Sequence, residues 1–185
     1  MMCTRKAALP GARIALLVAG ILLVSACDQF LPGRRDLTLP AIEEVRRIYA
    51  EQGQEASEIR YSGNVVEIRA VQSADQLQRG GELWARVGPY IHLFTPATRD
   101  VMQTYPGVAA VRAITRTANG REIARAMLVN DSLGTAQWAR AINLLGRAVT
   151  EGTERPMRMQ ELVRFGELHT EYRYSRDFVN SRPRQ

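Results

Sequence analysis

The stretch "VAAVRAITRTANGREIARAMLV", Val108 to Val129, constrains the fold more than any other part of the chain. Two β-rich runs flank Asn119-Gly120, the pair favoured by a type I′ hairpin turn because both central positions take positive φ. Strands registered about that turn set Arg116 opposite Ile123, Ile114 opposite Arg125 and Arg112 opposite Met127. One face then carries Val111, Ala113, Thr115, Ala124, Ala126 and Leu128, small enough to pack closely under helices. The other mixes Arg112, Arg116 and Arg125 with Ile114, Ile123 and Met127, too apolar for a plain solvent face and suited to a partner or an anion.

The segments before the hairpin alternate in type. Ile42, Val45, Ile48 and Tyr49 recur at helical spacing while Glu43, Glu44, Arg46 and Arg47 fill the opposite side, predicting an amphipathic helix that ends near Gly53. "EIRYSGNVVEIRAVQ" then alternates with period two on both sides of Ser62-Gly63-Asn64, reading either as a short hairpin or as one strand bulged at Gly63. From Ser73 the period is helical again, with Leu77, Trp84, Val87, Ile91 and Phe94 as the buried stripe. Gly80-Gly81, Gly88-Pro89 and Pro96 predict a kinked or broken helix. Thr95-Pro96 reads as a fresh N-cap and first-turn proline of a short helix stopping at Tyr105-Pro106-Gly107.

After the hairpin, Trp138, Ala141, Ile142, Leu145, Ala148 and Val149 form one face of a strong amphipathic helix. A further helix places Met159, Leu162, Val163, Gly166 and Tyr172 together, widened by Phe165 and Leu168. The order α-β-α-β-β-α-α predicts an α+β two-layer sandwich, a small mainly antiparallel sheet with helices on one face. Its boundaries are residues 40–175, with a disordered basic tail at 176–185.

Composition limits the remaining readings. With 185 residues, 45% hydrophobic and 24% charged, the chain suits one ordinary core. Lys6 is the only lysine and the formal net charge is +6. Arg5, Lys6 and Arg13 lie in the first segment, and without them about +3 remains, with no block of like charge. No nucleic-acid partner is expected.

That first segment has the parts of a secretory signal. The three basic residues precede an apolar run, Ile14 to Val24, of about 11 residues, well short of the roughly 20 needed to span a bilayer. Val24-Ser25-Ala26-Cys27 follows and resembles the bacterial lipoprotein signal motif, a likeness confined to residues 1–27. The resemblance implies cleavage between Ala26 and Cys27, so that 1–26 is a signal peptide. It also implies acyl chains on the Cys27 sulfur that tie the protein to a membrane and present it to the periplasm. Two or more chains hold a soluble domain stably where one does not. A plain secretory signal or an uncleaved short anchor are the alternatives. Asp28 resembles the inner-membrane retention signal of enteric-type bacteria and tilts the expectation that way, with the outer membrane still open. Residues 27–39 read as a flexible tether. Cys3 falls in the removed piece, so the mature chain has no second thiol and no intrachain disulfide.

Catalytic chemistry finds little support. Beyond residue 27 the chain offers only His92 and His169, and Glu167, His169 and Glu171 do not share a helix face at i±2 spacing. No serine sits in a nucleophile elbow, and Gly80-Gly81 lacks the Lys-Ser/Thr of a phosphate loop. No metal, cofactor or catalytic residue is assigned. Two functional readings follow. One is a lipid-anchored adaptor or accessory subunit of a membrane-associated complex, binding an envelope protein through Arg112, Ile114, Arg116, Arg125 and Met127 or through a groove beside Trp84 and Tyr90. The alternative is a periplasmic binding domain for a small anionic ligand or lipid, with hydrolysis the weakest version. Against both stands the view that these arginines are ordinary solvated surface residues of a chain whose basic residues are almost all arginine.

Overall fold

A computed structural model describes residues 36–53 and 58–175, the side chains of Gln76 and Arg79 excepted. The expected cleavage site, the expected lipidation site Cys27 and the C-terminal tail 176–185 lie outside the described residues. The elements run α1 (Ile42–Glu51), β1 (Glu58–Ser62), β2 (Val65–Val71), α2 (Ala74–Leu93), α3 (Pro96–Thr104), β3 (Ala110–Arg116), β4 (Glu122–Val129), α4 (Thr135–Glu151), α5 (Pro156–His169) and β5 (Glu171–Tyr174).

The architecture is the expected α+β sandwich. The five strands lie in sequence order, β1-β2-β3-β4-β5, with every neighbouring pair antiparallel except β2–β3. A parallel pair cannot be joined by a tight turn, and α2 with α3 supplies the crossover. One continuous core fuses the helices to a single sheet face, bringing Val45, Phe94 and Leu162 together with Ile68, Ala113 and Leu128. Alanines on β3 and β4 let the helices approach closely, as the hairpin pattern implied.

Local chemistry explains the breaks. "SGN" is a true hairpin: Ser62 pairs with Val65 across the two-residue loop Gly63-Asn64, Gly63 alone taking positive φ. Helix α2 is kinked at Gly81, whose φ of 53° and ψ of −136° are open to glycine but strained for other residues. Thr95 caps α3, its hydroxyl accepting the Thr98 amide at 3.1 Å, with Pro96 in the first turn. At the N-terminal end Leu39 packs on the core and the Tyr61 hydroxyl donates to the Pro40 carbonyl at 2.9 Å.

Some details differ from expectation. Asn119 does not take positive φ; only Gly120 does, at 84°. The Thr117 amide donates to the Arg121 carbonyl, so the β3–β4 loop spans three residues rather than two. Arg116 therefore pairs with Glu122, and a bulge at Ile123 restores the anticipated pairing from Thr115–Ala124 onward. The bulge turns Ile123 inward, where it is fully buried beside Ala85 and Ala124. Helix α5 ends at His169, so Tyr172 belongs to the edge strand β5. Val149 and Leu168 are exposed rather than part of the buried stripes.

Candidate functional site

Among the described residues all helices occupy one side of the sheet, and the other side is a five-strand surface built from strand residues. Cross-strand register arranges it in rows. Arg60, Glu67, Arg112, Met127 and Glu171 form one row, and Glu58, Arg69, Ile114, Arg125 and Arg173 the next. Arg116 follows between Val71 and Glu122. Arg112, Ile114, Arg116, Arg125 and Met127 thus share one face, while Ile123 leaves it through the bulge.

The centre of this face is a carboxylate. Glu67 is only 4% exposed although no helix among the described residues covers it. Arg60 donates to its Oε1 from Nε at 3.0 Å and Nη2 at 2.8 Å, and Arg69 Nε donates to the same oxygen at 2.6 Å. Arg112 Nη1 reaches Oε2 at 3.5 Å, with its Nη2 3.4 Å from the Met127 sulfur. A buried carboxylate is tolerable only when paired and hydrogen-bonded, and here three guanidinium stems form its roof. Ile114 is likewise buried, at 4% exposure, in the adjoining row. The arginines therefore act partly as apolar cover.

Towards β5 the surface opens into a groove of about 520 Å³ lined by Arg112, Arg125, Met127, Glu171, Tyr172 and Arg173. Arg125 stands directly opposite Arg173. Its nearest carboxylate, Glu122, is 3.5 Å away. Arg173 has no ion-pair partner among the described residues. The Nε of Arg116 is buried without a hydrogen-bond partner among them.

The groove expected beside Trp84 and Tyr90 takes a different form. Tyr90 is fully buried, stacked on Phe94 with ring centres 5.7 Å apart and close to Tyr172, so it lines no groove. Trp84 lies over Gly80, where a Cβ would sit 1.2 Å from its ring, and lines two clefts. One, of about 460 Å³, runs between the α2 kink and the α4–α5 turn, past Leu83, Pro156 and Met159. The other, of about 240 Å³, is lined by Gln72, Gly88, Ile91, His92 and Thr115. Burial pushes the His92 imidazole down to about 4, which keeps it neutral at pH 7. His169 packs on the Phe165 ring at 4.4 Å.

A polar cluster pins β5 to the helices. Arg86 donates to Glu167 and lies 3.5 Å from Glu82, which accepts the Tyr174 hydroxyl at 3.2 Å. Burial pushes the Tyr172 hydroxyl well above the ordinary phenol range. These groups tie α2, α5 and β5 together and offer no nucleophile–base pair. Among the described residues no group of three His, Cys, Asp or Glu side chains could hold a metal ion, and no helix is long and apolar enough to cross a membrane.

Sequence reasoning missed Glu67 and Arg173. Glu67 looks like an ordinary outward residue in "VVEIRA", and its value comes from the non-local β2–β3 pairing. Arg173 carried a signal, the period-two alternation of Glu171-Tyr172-Arg173-Tyr174, hidden behind a helical run. Compared with protein-family models, curated proteins and solved structures, the chain matches none.

Proposed function

We propose that this chain is a lipid-anchored cell-envelope protein, a non-catalytic adaptor or accessory subunit of a membrane-associated complex. Acyl chains on Cys27 hold it at the membrane facing the periplasm, with Asp28 favouring the inner membrane. The open sheet face receives the protein partner. The observation that carries this reading is the composition of that face, where Arg112, Arg116 and Arg125 are interleaved with Met127 and with Ile114, which lies buried in the same face. Arginine, methionine and aromatic residues are enriched at interface cores. Val71 and Val129, both exposed, add apolar area in the neighbouring rows. The likeness of Val24-Ser25-Ala26-Cys27 to a lipoprotein signal supports the anchoring half.

The test is crosslinking and affinity capture from membranes of the native organism, comparing the unaltered chain, the Arg112→Glu/Arg125→Glu double variant and Cys27→Ala. The reading requires that Cys27→Ala leave the membrane fraction and that the double variant stay there while losing its partner. A Cys27→Ala chain that still fractionates with membranes and loses its signal peptide contradicts the anchor. An unchanged partner set in the double variant contradicts the docking face.

A further inference from the structure

We propose that the β4–β5 end of the open face is a binding site for a phosphomonoester, whose oxygens are gripped by Arg125 and Arg173 with Arg112 forming the inner wall. The first ground is a conflict in the sheet itself. Arg125 and Arg173 are directly opposed across the antiparallel β4–β5 pair, which brings their Cβ atoms to about 4.5–5.5 Å of each other. Like charges so placed weaken a sheet, and an anion between them removes the repulsion.

The second ground is that nearby carboxylates leave these arginines unsatisfied. Glu67 bonds most closely to Arg69 and Arg60, at 2.6 and 2.8 Å, and only at 3.5 Å to Arg112. Glu122 meets Arg125 at 3.5 Å with both side chains about 40% exposed, a pairing of little strength in solvent. Arg173 has no ion pair among the described residues.

The third ground is shape and charge. The groove of about 520 Å³ falls within the ordinary range for small-ligand sites, larger than inorganic phosphate requires and suited to a phosphate with an organic group attached. Its lining carries three guanidinium groups and one carboxylate, Glu171, a balance that calls for a dianion rather than a monoanionic carboxylate. Guanidinium forks present parallel N–H donors that fit tetrahedral phosphate oxygens. Met127 offers apolar contact for the attached group. The site shares Arg112 and Arg125 with the proposed docking face, so it takes its ligand on a chain that no partner covers, and it does not rest on the docking reading.

The test measures the thermal midpoint of the purified full chain in inorganic phosphate, glycerol 1-phosphate, acetate or chloride at matched ionic strength, alongside Arg173→Glu, Arg173→Gln and Glu171→Gln. Glycerol 1-phosphate at tens of millimolar should raise the midpoint by about 2–5 °C over chloride, with acetate giving no such rise. Arg173→Glu, which places an acid opposite Arg125, should melt higher than the parent without ligand and show no phosphate-dependent rise. Arg173→Gln should also lose the rise, and Glu171→Gln should tighten binding at least about threefold. Flotation with phosphatidic acid vesicles against phosphatidylcholine vesicles separates the sources, each scored by its Arg173 dependence. Binding to vesicles alone assigns a lipid headgroup, and binding in solution alone a soluble phosphate ester. Equal shifts in chloride or acetate, or a phosphate shift that survives in both Arg173 variants, overturn the proposal. Because no partner is present, that failure leaves the docking face untouched, and loss of the docking face leaves this site standing.

Discussion

Arg69 Nε lies 2.6 Å from the Oε1 of Glu67, in a direct charge-assisted hydrogen bond on the sheet face opposite the described helices. The same oxygen takes two hydrogen bonds from Arg60. Neutralising this carboxylate leaves three guanidinium groups crowded without their shared counter-ion. Glu67→Gln should cost about 2–3 kcal/mol of unfolding free energy, measured by urea denaturation. Glu58→Gln, which removes only an exposed carboxylate 4.0 Å from Arg69, should cost no more than about 0.5 kcal/mol. Equal effects would contradict the central role given to Glu67.

Two glycines in neighbouring helices should respond in opposite directions. A Cβ at Gly166 would lie 2.3 Å from the buried Tyr90 ring, whereas one at Gly146 would meet nothing within 4 Å. Gly166→Ala should destabilise by about 1–3 kcal/mol through overpacking. Gly146→Ala should stabilise by about 0.5–1 kcal/mol, since alanine loses less backbone entropy in a helix. Thermal or urea unfolding of the two variants reads the difference directly.

His92 gives a pH dependence of definite sign. Its folded-state value of about 4 lies below the roughly 6.5 of an unfolded chain, so between those values the unfolded chain binds the proton and the folded one does not. Stability from this residue is full above about pH 6.5 and is lost as pH falls towards 4. Between pH 7 and pH 5 the parent should lose about 1–2 kcal/mol more than His92→Gln, as read by urea unfolding at the two pH values. Identical losses would mean that the ring titrates normally in the folded chain.

Legibility followed sequence distance. The hairpin, the capped start of α3 and the glycine break in α2 are local events, and each could be read from a handful of adjacent residues. The register from Thr115–Ala124 onward was also readable, because the extra loop residue and the bulge at Ile123 cancel. What stayed hidden depends on partners far along the chain. Nothing beside Glu67 announces that β2 will lie parallel to β3 and bring Arg112 to it. Likewise Arg173 acquires meaning only when β5 pairs with β4. The candidate site was thus half legible, its hairpin arginines visible and its counter-ion and edge arginine not.

The central claim, that the open sheet face meets a protein partner at the membrane, is tested most directly by site-specific photocrosslinking in native cells. A photoreactive residue replaces Met127 on the open face or Arg147, exposed on α4 of the opposite layer, in the full chain with Cys27 intact. The account predicts a discrete membrane-associated adduct from position 127 that disappears with Arg112→Glu/Arg125→Glu, and none from position 147. An adduct from position 147 but not 127, or one at 127 indifferent to both charge reversals, would contradict it.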